Sequence, residues 1–294
     1  MRTRNMISFD WAMKNQLRNK ANFEVLEGFL SELLRRKIVI QHIGESEGNK
    51  TDKDDKTNRV DILVEADGKE LVIIELQYDA EYDYFQRMLY GVSKSIMEYI
   101  ATGDPYSDVR KVYSVNIVYF NLGSGDDYVY HGTTTFKGLH KKDELQLTDA
   151  QKKMYAKKHV PDLYPEYYII KVRKFNKKQI QDTLDEWIYY FKTSQVKDDF
   201  TALGMNKVRE VLAFENLSDE ERKDYWAKIE AKRIRDNELE SSFMDGETKG
   251  RAKGKAEEKI SIAKNLLKLN ISIDDIANST GLTKDEIENL INNQ

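Results

Sequence analysis

Two short runs, Arg59-Val60-Asp61-Ile62-Leu63-Val64 and Leu71-Val72-Ile73-Ile74-Glu75-Leu76-Gln77, constrain this chain more than any other stretch. Between them lies a polar tract, Glu65 to Glu70, holding the turn-forming pair Asp67-Gly68. β-Branched and leucine-rich runs on either side of an Asp-Gly turn are the pattern of two antiparallel strands. Each run carries a carboxylate, Asp61 near the start of the first and Glu75 near the end of the second. The start of one antiparallel strand lies beside the end of the next, so the two acids are expected to be neighbours. An unpaired charge among apolar strands is costly. The expected partner is a divalent cation.

Composition narrows the class. A chain of 294 residues with 40% hydrophobic and 33% charged residues has a globular balance, with room for about two domains. No apolar run approaches the roughly 20 residues of a membrane helix, and the N-terminus lacks the apolar core of a signal peptide. With no cysteine, neither a disulfide nor a thiolate zinc site can form. The expected setting is cytoplasmic, with no membrane partner. The net charge of −4 hides a local excess, because residues 137–178 hold 12 Lys/Arg against 5 Asp/Glu. Local basic surface is what phosphate binding needs, whatever the total.

In chain order, residues 6–20 read as a short helix and 22–36 as a stronger one, with Phe23, Leu26, Phe29, Leu30, Leu33 and Leu34 on one face. Glu27 falls on the edge of that face and is the acid expected to look toward the core. Residues 37–43 read as a strand, and the charged tract 44–58 as a loop delivering Lys56 and Arg59 ahead of Asp61. The segment 81–102 reads as a helix ended by Gly103-Asp104-Pro105, with Arg87, Gly91 and Lys94 on one stripe. Residues 112–121 read as a buried central strand, followed by strands over 128–136 and 166–172. From Lys178 onward the signals are helical, over 180–192, 207–214 and 218–240, the last opened by the capping box Ser218-x-x-Glu221.

A glycine- and charge-rich linker is expected over 246–255. Beyond it, 260–269 reads as one helix, and Ile276 to Thr283 has the look of a helix-turn-helix. The last helix holds Asp285, Glu286 and Glu288 and one lysine, too few donors for a major-groove reader. A small interaction or oligomerisation module is favoured over base readout.

Asp61 and Glu75, with the Leu76 carbonyl, present the hard oxygens that Mg²⁺ prefers. A metal held there polarises a phosphate and lowers the pKa of a bound water. Gln77 shares a strand face with Glu75 and would orient the water or the phosphate, but it carries no charge. Positive charge must come from elsewhere, with Lys56, Arg87 and Lys94 as candidates.

The chain resembles the PD-(D/E)XK nuclease superfamily and, within it, the recombination-promoting nuclease and putative transposase family. The resemblance rests on Asp10-Trp11-Ala12-Met13-Lys14, Leu26-Glu27-Gly28-Phe29-Leu30, Lys56-Thr57-Asn58-Arg59-Val60-Asp61, Ile74-Glu75-Leu76-Gln77 and Phe85-Gln86-Arg87-Met88-Leu89-Tyr90. It spans roughly residues 6–240. It implies a restriction-endonuclease-like α/β fold, a mixed sheet core flanked by helices with an all-α C-terminal extension. The implied divisions are a core over 1–200, a helical extension over 201–245, the linker over 246–255 and a helical module over 256–294. The implied activity is Mg²⁺-dependent cleavage of DNA, with Mn²⁺ as a stand-in and self-association left open. Asp61 and Glu75 become metal ligands, Glu27 the first-helix acid, and Gln77 occupies the position usually held by lysine. Lys56, Arg59, Arg87 and Lys94 are the candidate phosphate contacts. The alternative is a catalytically weak or silent DNA-binding or assembly protein that keeps the nuclease fold.

Overall fold

The structure, a computed structural model, describes residues 3–44, 61–66 and 69–292. Lys56, Arg59, their loop and the Asp67-Gly68 pair lie outside the described residues. The chain divides into two units, Met1–Asp219 and Glu220–Gln294.

The first unit opens with β1 (Thr3–Asn5), α1 (Phe9–Asn15), α2 (Phe23–Leu34) and β2 (Ile40–Gly44). The expected helix over 6–20 is shorter than its apolar spacing suggests. The main chain leaves the helix at Gln16, and Asn19 caps a separate 3-10 turn at Lys20–Asn22. Asparagine favours such local bonds over helix continuation. The hairpin then forms as β3 (Ile62–Ala66) and β4 (Glu70–Gln77), paired antiparallel with Ile62 opposite Ile74. Next come α3 (Tyr84–Glu98), β5 (Val112–Val118), β6 (Val129–Gly132), α4 (Asp149–Tyr155) and β7 (Glu166–Lys171).

These strands make a mixed six-stranded sheet in the order β2-β3-β4-β5-β7-β6. β4, β5 and β7 run parallel and the other pairings are antiparallel. Every residue of β5 is buried, as a central strand with both faces covered requires. The strand expected over 128–136 is only four residues long. The basic segment after it, without clear periodicity, contains α4 and its Thr148–Gln151 capping box.

Two apolar clusters hold α3 on the sheet. Val92 packs with Leu63, Leu71, Ile73 and Val112, while Tyr84 and Met88 pack with Val118, Phe120 and Leu122. Each such side chain contributes about 1.5–3 kcal/mol on burial. α5 (Thr183–Thr193), β8 (Gln195–Lys197) and α6 (Met205–Val211) complete the unit, with β8 pairing β1 in a second small sheet. Phe9 of α1, Phe29 of α2 and Trp187, Tyr190 and Phe191 of α5 form an aromatic cluster that fixes α1 and α2. Gly28 is required where α2 meets the main chain of Leu203 and Gly204, since a Cβ would collide with both.

The second unit is helical. α7 (Asp219–Lys268) is continuous through 246–255, so the segment expected as a linker is helix, and the helices expected over 218–240 and 260–269 are parts of one. Gly246, Gly250 and Gly254 each weaken a helix by about 1 kcal/mol. The residues between them are strong helix formers, and the i,i+4 pairs Arg251–Glu247 and Lys253–Glu257 add support. α8 (Ile273–Thr280) and α9 (Lys284–Asn292) fold back to bury Ala263, Ile276 and Ile287 together. Ser272 caps α8, and Gly281 at φ 69° turns the chain into α9. Among the described residues no helix is long and apolar enough to cross a membrane.

Candidate active site

The hairpin register brings the two expected acids together. Asp61 immediately precedes β3, and its Oδ2 accepts the Leu76 N–H at 2.7 Å, one residue past Glu75. That bond uses one carboxylate oxygen and leaves the other for a ligand. Glu75 is only 4% exposed on β4, opposite Asn116 of β5. The Tyr84 hydroxyl lies 3.4 Å from Glu75 Oε2 and 3.2 Å from Asn116 Oδ1, one proton for two acceptors. Asn116 is fully buried and held by its amide N–H groups to the Ser114 hydroxyl at 2.9 Å and the Tyr168 carbonyl at 3.3 Å.

Positive charge at the pair is scarce. Arg87 on α3 places Nε 3.9 Å from Glu75 Oε2, while its Nη1 binds Glu81 Oε1 at 2.8 Å. The Gln77 amide also donates to Glu81 Oε1 at 2.8 Å, and to the Asp79 carbonyl at 3.2 Å. Glu81 thus ties Gln77 to Arg87 and offsets much of the arginine's charge.

Burial therefore dominates the electrostatics. Desolvation pushes Glu75 up to about 7, with Arg87 opposing and the Asp61 charge reinforcing the rise. Asp61 is raised as well, first by burial, against the Leu76 N–H and the charge of Lys14, with Asp10 adding to the rise. Two adjacent carboxylates that both resist ionisation form a site suited to added positive charge.

The donor set fits a hard divalent cation. Asp61 and Glu75 offer carboxylate oxygens, and no group of three or more His, Asp or Glu side chains able to hold a metal occurs among the described residues. A cation here would complete its shell with main-chain oxygen and water, as Mg²⁺ usually does.

The other expected residues are placed less centrally. Glu27 is half-buried on α2, and its Oε1 accepts the Ile40 N–H at 2.8 Å, so it braces the start of β2 without touching the pair. Lys94 lies two turns along α3 from Arg87, 3.9 Å from Glu98.

Sequence reasoning passed over Glu81, Tyr84 and Asn116. Asn116 had a signal, a lone amide inside an otherwise apolar strand, and Tyr84 lies three residues before Arg87 on the same helical stripe. Glu81, in the turn before α3, had none.

The model of the PD-(D/E)XK nuclease family transposases matches residues 7–242. The chain belongs to this family. The match takes in the hairpin, α3 and the carboxylates of Asp61 and Glu75. No curated protein and no solved structure matches the chain. Membership carries a nuclease-like function acting on DNA, and nucleases of this family generally use divalent metals.

Proposed function

We propose that this protein is a Mg²⁺-dependent DNA endonuclease that hydrolyses phosphodiester bonds with low sequence specificity. One observation carries the reading: Asp61 and Glu75 are adjacent and short of positive charge, Asp61 half-buried and Glu75 buried and pushed up to about 7. Asp61 and Glu75 would hold the cation, Mg²⁺ or Mn²⁺ in its place. When bound, the metal supplies polarisation of the phosphate and a water of lowered pKa.

The protein's own groups set the geometry. The Leu76 N–H fixes the Asp61 carboxylate, while the Tyr84 hydroxyl of α3 stands between Glu75 Oε2 and Asn116 Oδ1. Glu81 orients the Gln77 amide, leaving Gln77 a neutral group that positions water or phosphate. Arg87 stands closest to Glu75 and limits the repulsion between the two acids. Lys56, Arg59 and Lys94 are assigned to phosphates of the bound strand, and Glu27 to support of β2.

A second reading is favoured by Gln77 itself. An amide stands where a cation would assist the chemistry, which suits a catalytically weak or silent DNA-binding or assembly protein. A plasmid-nicking assay with and without Mg²⁺, run beside Asp61→Ala and Glu75→Ala, separates the two. The endonuclease reading expects Mg²⁺-dependent nicking that both substitutions remove. Equal nicking by all three proteins, or none by the wild type, would sink it.

A further inference from the structure

The charge that Gln77 does not supply has a source at the C-terminal end of α1. Arg18, just past the end of that helix, donates from Nη2 to the main-chain carbonyl of Asp61 at 3.1 Å. A cation is thereby anchored on the very residue whose carboxylate opens the site. Lys14 precedes Arg18 by four residues, and both side chains are exposed.

Lys14 stands in the last turn of α1, just ahead of Arg18 and its bond to Asp61. Its ion pair is with Asp10, one turn back at 2.7 Å, and the lysine side chain is 57% exposed. An exposed i,i+4 pair is worth only about 0.3–0.5 kcal/mol, so an incoming phosphate competes for the ammonium at little loss. On α3, by comparison, Arg87 is already held by Glu81 at 2.8 Å.

A phosphodiester approaching Asp61 and Glu75 adds negative charge to a corner that already holds two acids. Compensation must come from the rim, where a guanidinium offers paired donors and an ammonium a compact charge. Resting on the nuclease reading above, we propose that Lys14 and Arg18 form the phosphate-binding edge of the site. They hold the backbone phosphate of the bound strand beside Asp61, in place of the cation that Gln77 lacks. The ligand is a phosphodiester recognised by charge, without base identity.

The test measures binding of the full-length protein to a duplex oligonucleotide in EDTA over a range of salt concentrations. Loss of one phosphate contact lowers the slope of log affinity against log salt by about 0.9. Lys14→Gln and Arg18→Gln should each lower it by about that amount, and the double variant by about twice as much. Lys14→Arg and Arg18→Lys, which keep the charge, should keep the slope. With Mg²⁺ present, Gln77→Lys placed in the Lys14→Gln background should recover cleavage lost by the single variant.

A double variant with the wild-type slope overturns the assignment. So does a loss of slope in the charge-keeping variants equal to that in the glutamines, since the role would then be structural. The EDTA arm needs no cleavage: a wild type that binds but never nicks defeats the nuclease reading and still tests this edge. A wild type that nicks while the glutamine variants keep its slope defeats this edge alone.

Discussion

The sheet of the first unit carries two groups of buried or half-buried acids, at opposite ends of its parallel strands, and their surroundings differ. At its start, Glu70 is paired with Arg36 and with Lys157 at 3.2 Å. On β7, separated from β4 by β5, Glu166 takes Lys111 at 2.8 Å and His131 at 2.7 Å. Burial works to raise Glu166, yet the hydrogen bonds and charges of Lys111 and His131 outweigh it and hold the carboxyl below its ordinary value. At the other end, Glu75 has the partial help of Arg87 and Asp61 that of the Leu76 N–H, Lys14 and Arg87, yet both carboxyls are raised by burial. One end is neutralised by the protein's own cations. The other is not, and the proposed cation site rests on that difference.

The largest effect should come from breaking the compensated end. Lys111→Ala leaves Glu166 short of its buried partner and should cost roughly 3 kcal/mol of stability, read by urea unfolding. Glu75→Gln in metal-free protein should cost nothing comparable, because it removes a charge that the fold does not satisfy. Similar losses at the two positions would erase the distinction.

The pH dependence should follow with opposite signs. Glu75 binds its proton more tightly in the folded chain, so its favourable contribution is complete below the ordinary carboxylate range and is lost as pH rises through about 7. Subtracting the Glu75→Gln curve from that of metal-free wild type should isolate a fall of up to about 3 kcal/mol across this window. The contribution of Glu166 is present above the ordinary carboxylate range and is lost only as pH falls through its lowered value. A Glu166→Gln difference curve with the sign of the Glu75 curve would contradict the account.

How far these contrasts were legible in the sequence depends on what encodes them. The hairpin was readable because its apolar runs are short, β-branched and split by a turn, so Asp61 and Glu75 could be paired by register alone. The scarcity of charge around them was not readable. It depends on Glu81 capturing both Gln77 and Arg87, contacts made by a turn that has no periodicity. Glu27 looked central by helical angle, but position around a helix does not say which neighbour arrives, and Ile40 arrived. The glycines of residues 246–255 suggest a linker, but the helix formers between them prevail and α7 runs straight through.

Catalysis sharpens the comparison next. In Mg²⁺, Asp61→Ala and Glu75→Ala should each reduce nicking by at least about a hundredfold, beyond the usual loss from groups behind the ligands. Substitutions at Glu70 should act through stability alone. Tyr84→Phe should be the mildest change, removing a hydroxyl from Glu75 at a stability cost of about 1 kcal/mol and lowering nicking roughly tenfold. Unfolding and nicking assays on the same preparation check both numbers.

The most direct measurement is the titration of the Glu75 carboxyl by carbon-detected NMR, without and with saturating Mg²⁺. The account expects a midpoint near 7 in metal-free protein, as burial beside Asp61 dictates, and a fall below the ordinary carboxylate range once Mg²⁺ is added. A Glu75 that titrates at its ordinary value, or one that Mg²⁺ leaves unmoved, would contradict the claim that this end of the sheet is built to receive a cation.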